Sequence, residues 1–175
     1  MRRVEARGEL LTSWGAAIVP RLGAFMVTET GGFVAWAIRK ITKSPVNHAG
    51  VYVGHGFLVE AQPGGARVSL AARYPKAIWS TPPISVHTDL AIINAALDLV
   101  GTPYNFLDIA AQALVRVFHW KAPNWALKRI SNPERLQCAQ LVDIAYGKAG
   151  VELFSDGRPA GLISPGDLYQ IIEDQ

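Results

Sequence analysis

The sequence predicts an α+β fold, an antiparallel sheet of about four to six strands with helices packed against it, from three observations. Short apolar segments separated by glycines occupy residues 24–70. Helical periodicity with cap signals takes over from about residue 89. Half of the 175 residues are hydrophobic and 18% are charged, enough apolar side chain to build one core in a single domain over 1–175.

Residues 1–21 form a lead-in segment, helical or irregular, that meets Pro20, and residues 22–170 form the core of the domain. Ala24 to Glu29 is a strand candidate that Gly31-Gly32 breaks. Phe33 to Ile41 has helical spacing, with Arg39 and Lys40 near its end and Ser44-Pro45 as its stop. Strands come next at 46–53, 57–62 and 66–70, joined by Gly54-His55-Gly56 and Gly64-Gly65, as in a meander. A further strand is predicted near 84–87, after Pro82-Pro83. Asp89 then caps a helix that runs to Val100 and ends at Gly101. Another helix spans about 105–120, and a third carries Cys138 and ends near Gly147 or Gly150. Ser164-Pro165 opens a last short helix.

Several function classes fall away on charge and motif. A net charge of +3 with no Lys/Arg run and no nucleic-acid-binding motif gives no reason to expect a nucleic-acid partner. No stretch reaches the ~18 apolar residues of a membrane span. Met1-Arg2-Arg3 resembles the start of a signal peptide, but Glu5, Glu9 and Arg21 break up the apolar run that such a peptide needs. The expectation is a soluble chain, cytoplasmic by default. The lone cysteine excludes an internal disulfide and a multi-cysteine zinc site, and no His-Glu-x-x-His occurs. No metal and no cofactor is expected.

Cys138 is a small buried hydrophobe, a reactive thiol or a site for pairing with another chain. Cys138, Leu141, Val142, Ala145 and Ala149 share one helical face, so the thiol points inward. Two helix starts compete. Asn132-Pro133-Glu134 is a respectable cap signal, and a helix begun there leaves Cys138 beyond the first turn. A helix begun at Gln137 or Cys138 instead lends its free N–H groups and positive end to a thiolate or an oxyanion.

The candidate partner is upstream. Strand alternation puts His48, Gly50 and Tyr52 on one face. If Val53 pairs with Phe57, Gly50 faces Glu60 and His48 faces Gln62, which makes His48 and Glu60 diagonal neighbours. A slip of one residue separates them. His48 beside Glu60 is equally the description of a surface histidine near a surface carboxylate. His55, His87 and His119 lack such company.

The order His48, Glu60, Cys138 resembles the circularly permuted branch of the NlpC-type papain-like hydrolases, which includes YiiX- and YaeF-like proteins and lecithin:retinol acyltransferase. The motifs that carry the resemblance are Asn47-His48-Ala49-Gly50-Val51-Tyr52-Val53-Gly54, then Phe57-Leu58-Val59-Glu60-Ala61, then Gln137-Cys138-Ala139-Gln140-Leu141-Val142 through Tyr146. Gly101-Thr102-Pro103-Tyr104 looks like the family's segment between the halves. The resemblance covers residues 22–170 and implies a permuted papain-like fold with its cysteine helix late in the chain. It implies Cys138 as nucleophile, His48 as base and Glu60 as the group that orients the imidazole, with Gln62 competing for that last role. Tyr104 is an auxiliary candidate for the oxyanion site.

By the same resemblance the chain is a thiol hydrolase that cleaves an amide through an acyl-enzyme. The substrate is then a peptide, such as a peptidoglycan stem peptide. The alternatives are a lipid acyl hydrolase or acyltransferase, and a non-catalytic module that keeps the fold. Residues 114–129 interleave Phe118, Trp120 and Trp125 with Arg116, Lys121, Lys128 and Arg129. They make either a helix–loop–helix with buried aromatics or a peripheral membrane contact over an acyl groove.

Overall fold

Five segments of the first half pair into one antiparallel sheet in the computed structural model, which describes residues 19–32, 35, 36, 39, 40, 43–81, 85–103, 137–158 and 160–175. They are β1 (Phe25–Thr28), β2 (His48–Gly54), β3 (Phe57–Gln62), β4 (Gly65–Leu70) and β5 (Ile78–Trp79), in spatial order β4-β3-β2-β1-β5. Three α-helices are described: α1 (Val86–Leu97), α2 (Cys138–Lys148) and α3 (Pro165–Glu173). The α+β class and the late cysteine helix are therefore as the sequence predicts.

Alternation divides the strands as expected. Phe25 and Val27, Ala49 and Val51, and Val59 and Ala61 all join the core that α1 and α2 close with Ile92, Ala96, Leu141, Val142 and Tyr146. Tyr146 fastens α2 to the start of β1. Its ring meets Phe25 edge-on at 5.7 Å, and its hydroxyl donates to the Gly23 carbonyl at 2.8 Å.

Gly50 pairs with Glu60 as the hairpin arithmetic predicts, but the turn differs. Phe57 pairs with Gly54 rather than Val53, with a register shift between Tyr52 and Gly54. Residues 54–56 all have positive φ, His55 included at 53°, so the extra residue is taken up by a left-handed turn. The glycine at 50 has a second reason to be small. A Cβ there would sit 2.9 Å from the Val59 carbonyl oxygen and 3.1 Å from Leu58 Cδ1. Gly50→Ala is thus expected to lower stability by about 1–3 kcal/mol through overpacking, measured by denaturant unfolding.

Three expectations need correction. The strand near 84–87 does not form: Ser85 is an N-cap whose Oγ accepts from the Thr88 N–H at 3.3 Å, and Val86 and His87 already belong to α1. The fifth strand is instead the two-residue β5, which pairs with β1. Asp89 is not the cap of α1 but a buried first-turn residue paired with Arg21 at 3.3 Å, and α1 stops at Leu97, before a turn through Gly101. That turn serves the sheet. Ala66 donates to Thr102 and Gly101 donates back to Ala66, which covers part of the free edge of β4.

The cap at Ser164-Pro165 forms as predicted, with Asp167 reaching back to the Ser164 N–H at 2.7 Å. Ala35, Trp36, Arg39 and Lys40 are helical, in keeping with a helix over 33–41. The lead-in up to residue 18, the helix over 105–120, Tyr104 and the aromatic-basic stretch 114–129 lie outside the described residues.

Candidate active site

The start of α2 decides what Cys138 can do. Gln137 has extended backbone, with φ −109° and ψ 162°, and Cys138 is the first helical residue. The Asn132-Pro133 cap signal is therefore not where this helix begins. The N–H groups of a first turn have no carbonyl one turn earlier to bond, so the thiol sits among free donors at the positive end of the dipole. Gln140 reinforces the start by accepting from the Gln137 N–H at 3.3 Å, and the Gln137 side chain faces the Gln140 N–H in the reciprocal arrangement of a capping box.

This helix end arrives where β2 begins. Cys138 Sγ lies 4.0 Å from the Asn47 carbonyl oxygen, and the thiol is 8% exposed. The Asn47 side chain turns away from the thiol. Its amide donates to Thr30 Oγ1 at 2.6 Å, and its oxygen accepts from the Thr30 N–H at 2.9 Å. His48, the next residue, has its imidazole close enough to the Cys138 thiol to interact with it, and its Nε2 is 2.7 Å from Glu60 Oε2. With Nε2 committed to the carboxylate, Nδ1 is the nitrogen left for the thiol.

Glu60 has no exposed surface and is held by four side chains. Its Oε1 accepts from Ser69 Oγ at 2.6 Å and from the Arg67 guanidinium at 3.3 Å. Its Oε2 accepts from Tyr74 Oη at 2.5 Å and faces His48. Gln62 bonds neither His48 nor Glu60. It accepts from Arg67 at 2.8 Å and donates to the Tyr74 hydroxyl at 2.6 Å, closing a ring behind the carboxylate.

Burial by itself would raise the Glu60 carboxyl, but hydrogen bonds from His48, Ser69 and Tyr74 win and hold it down at about 2. Burial would likewise lower His48. Its hydrogen bonds to Cys138 and Glu60 outweigh that and push the imidazole up to about 9. Tyr74 is pushed well above the ordinary phenol range by burial and by the carboxylate it serves, so it stays a donor. The arrangement can take a proton from a thiol and keep the resulting imidazolium next to a fixed negative charge.

Arg67, Ser69 and Tyr74 are additions to the site expected from sequence. The first two had a signal: Gln62-Pro63-Gly64-Gly65 is a tight turn that pairs Gln62 with Gly65 and thereby Glu60 with Arg67. Tyr74 comes after a short 3₁₀ turn, Ala71–Arg73, and had none. Gln137 is the fourth addition. Its Nε2 is buried with no hydrogen-bond partner among the described residues, a state that costs about 1–3 kcal/mol unless something else offsets it.

No family model matches the chain, and no curated protein matches it in sequence. A solved structure does match it: the metalloprotein YiiX from Escherichia coli O157:H7, with a TM-score of 0.58 over 81% of this chain and 78% of that one. The fold is similar to that of YiiX. At 17% identity the likeness to YiiX is one of fold.

Proposed function

We propose that this chain is a cysteine hydrolase of the permuted papain-like type, with Cys138 as nucleophile, His48 as base and Glu60 as the residue that orients the imidazole and offsets its charge. The observation that carries the reading is a buried His48–Glu60 pair at 2.7 Å beside a thiol that sits on the first residue of a helix and 4.0 Å from the carbonyl of the adjacent Asn47. A buried histidine set between a thiol and a fully buried carboxylate has little structural purpose. It leaves charges in the interior that an apolar set would avoid.

The step is acyl transfer. The Cys138 proton passes to His48, and Sγ attacks the substrate carbonyl. The S–C bond forms as the carbonyl π pair moves onto oxygen. The C–N bond of the amide then breaks, and the amine leaves with the proton from His48. Water, deprotonated by His48, attacks the thioester and frees the acid and the thiol. A peptide, peptidoglycan stem peptides included, is the substrate class in first place. The fold similarity to YiiX and the sequence resemblance support the family. YiiX is described as a metalloprotein. Among the described residues no three His, Cys, Asp or Glu side chains are grouped to hold one, and both Glu60 oxygens already accept hydrogen bonds. The described residues do not fit a metal.

Alkylation by iodoacetamide, followed by mass spectrometry at pH 7, tests the pair. Cys138 in His48→Ala is expected to react at least roughly tenfold more slowly than in the parent, because the imidazole no longer takes its proton. Equal rates would sink the dyad. Fluorogenic amides set beside fatty-acyl esters then separate peptide from lipid substrates.

A further inference from the structure

The hydroxyl of Tyr74 has only one way to point. Tyr74 Oη lies 2.6 Å from Gln62 Nε2 and 2.5 Å from Glu60 Oε2. An amide nitrogen donates and a carboxylate accepts, so the phenol accepts from the first and donates to the second. Gln62 is itself held in that sense, because its oxygen accepts at 2.8 Å from the Arg67 guanidinium, which has no acceptor to offer. The donors run in one direction, Arg67 to Gln62 to Tyr74 to Glu60, and each bond of such a chain polarises the next. The last bond ends on Oε2, the oxygen that His48 Nε2 also meets at 2.7 Å. The backbone keeps Tyr74 in place: its N–H donates to the Ala71 carbonyl at 2.9 Å, and its carbonyl accepts from the Ala77 N–H at 3.0 Å. Its ring lies against the imidazole, with centroids 5.4 Å apart.

We propose that Tyr74 is a positioning residue that limits how firmly Glu60 holds the imidazolium of His48, by taking a share of the charge on Oε2. This rests on the acyl-transfer reading above, in which His48 accepts the thiol proton and then gives it to the leaving amine. A base that grips its proton too tightly is a poor acid for the second of those steps. Ser69 and Arg67 bond the other carboxylate oxygen, so among the described residues Tyr74 is the side chain that competes with His48 for the same atom. The other charged or titratable groups that face this cluster are Cys138 from α2, Arg67 from β4 and Arg73 from the turn beyond it. Removing the neutral phenol proton changes none of their charges.

Tyr74→Phe keeps the ring against the imidazole and deletes the O–H. The titration of His48 is read by NMR from its ring protons, assigned by their loss in His48→Ala. The midpoint in Tyr74→Phe is expected to rise by roughly 0.5–1 pH unit, the scale of one hydrogen bond released to its rival. Gln62→Leu, which leaves the hydroxyl but removes the donor behind it, is expected to move the midpoint the same way by less. A phenol that serves packing alone has the opposite signature: a loosened cluster admits water, Glu60 is screened, and the midpoint falls toward the ordinary histidine value. A Tyr74→Phe midpoint below that of the parent, or within about 0.2 unit of it, overturns the proposal. Iodoacetamide alkylation of the parent and His48→Ala keeps the two readings apart. Alkylation that depends on His48, beside an unmoved midpoint, leaves the dyad standing and refutes the role of Tyr74 alone. Alkylation that does not depend on His48 refutes the dyad, and the tuning of a catalytic base with it.

Discussion

Cys138→Ala is expected to bring p-nitrophenyl acetate turnover down to the uncatalysed rate while leaving the fold in place. The two consequences come from different properties of one side chain. The sulfur is the atom of the proposed site that forms the covalent acyl intermediate, so no residual route through that intermediate survives its removal. The same sulfur contributes little packing, being a small side chain at the edge of the core. Its loss should lower stability by no more than about 1 kcal/mol. Turnover and thermal melting measured on one preparation check both halves. Substantial turnover in a well-folded Cys138→Ala protein would refute the nucleophile.

Glu60→Ala has the opposite profile, with its largest effect on stability. It strips His48, Arg67, Ser69 and Tyr74 of their common acceptor and leaves a basic imidazole buried with no counter-charge from the carboxylate. Removing one partner of a buried ion pair costs about 3–5 kcal/mol, which for a chain of this size lowers the melting temperature by on the order of 10 °C. Glu60→Gln, which keeps the shape and one acceptor, should lose less.

The difference between parent and Glu60→Ala also depends on pH, and its sign is fixed by the two shifts. Glu60 is lowered from 4.5 to about 2, so its contribution is present above 4.5 and is lost as the pH falls through about 2. His48 is raised from 6.5 to about 9, so its contribution is complete below 6.5 and is lost as the pH rises through about 9. The gap in melting temperature should therefore be widest between about pH 4.5 and 6.5 and should narrow toward either end. A gap that stays constant from about pH 4.5 to about 9.5 would contradict the ion pair.

Period and register were the parts of the site legible in the sequence. Residues two apart on a strand share a face, so His48 and Gly50 had to be aligned. A hairpin short enough to fix its register brought Glu60 to them. That argument survived an error in the turn because the irregularity lies between Tyr52 and Gly54, beyond the pairs that matter. Local signals failed where two of them competed. Ser85 and Asp89 are both good caps, and the serine won because Asp89 is drawn into a buried pair with Arg21. Asn132-Pro133 is a better cap signal than Gln137, yet the helix starts at Cys138 because Gln140 turns back to satisfy the Gln137 N–H. β5 is too short for any periodicity to announce it. Tyr74 reaches Glu60 through an irregular turn, and the unmet amide of Gln137 exists only once the interior has closed around it.

The contact between Cys138 and Asn47 joins positions 91 residues apart. The histidine, its carboxylate and the groups that hold that carboxylate all lie between residues 48 and 74, on three adjacent strands and the turn beyond them. A ribosome thus completes the histidine and its cradle long before it adds the sulfur. On the proposed function, the nascent chain would carry a base with nothing to activate, and later a thiol without its partner until α2 docks against the finished sheet. The proposed reactivity would in this way be tied to completion of the fold, and a chain stalled or cut between the two halves would be chemically silent.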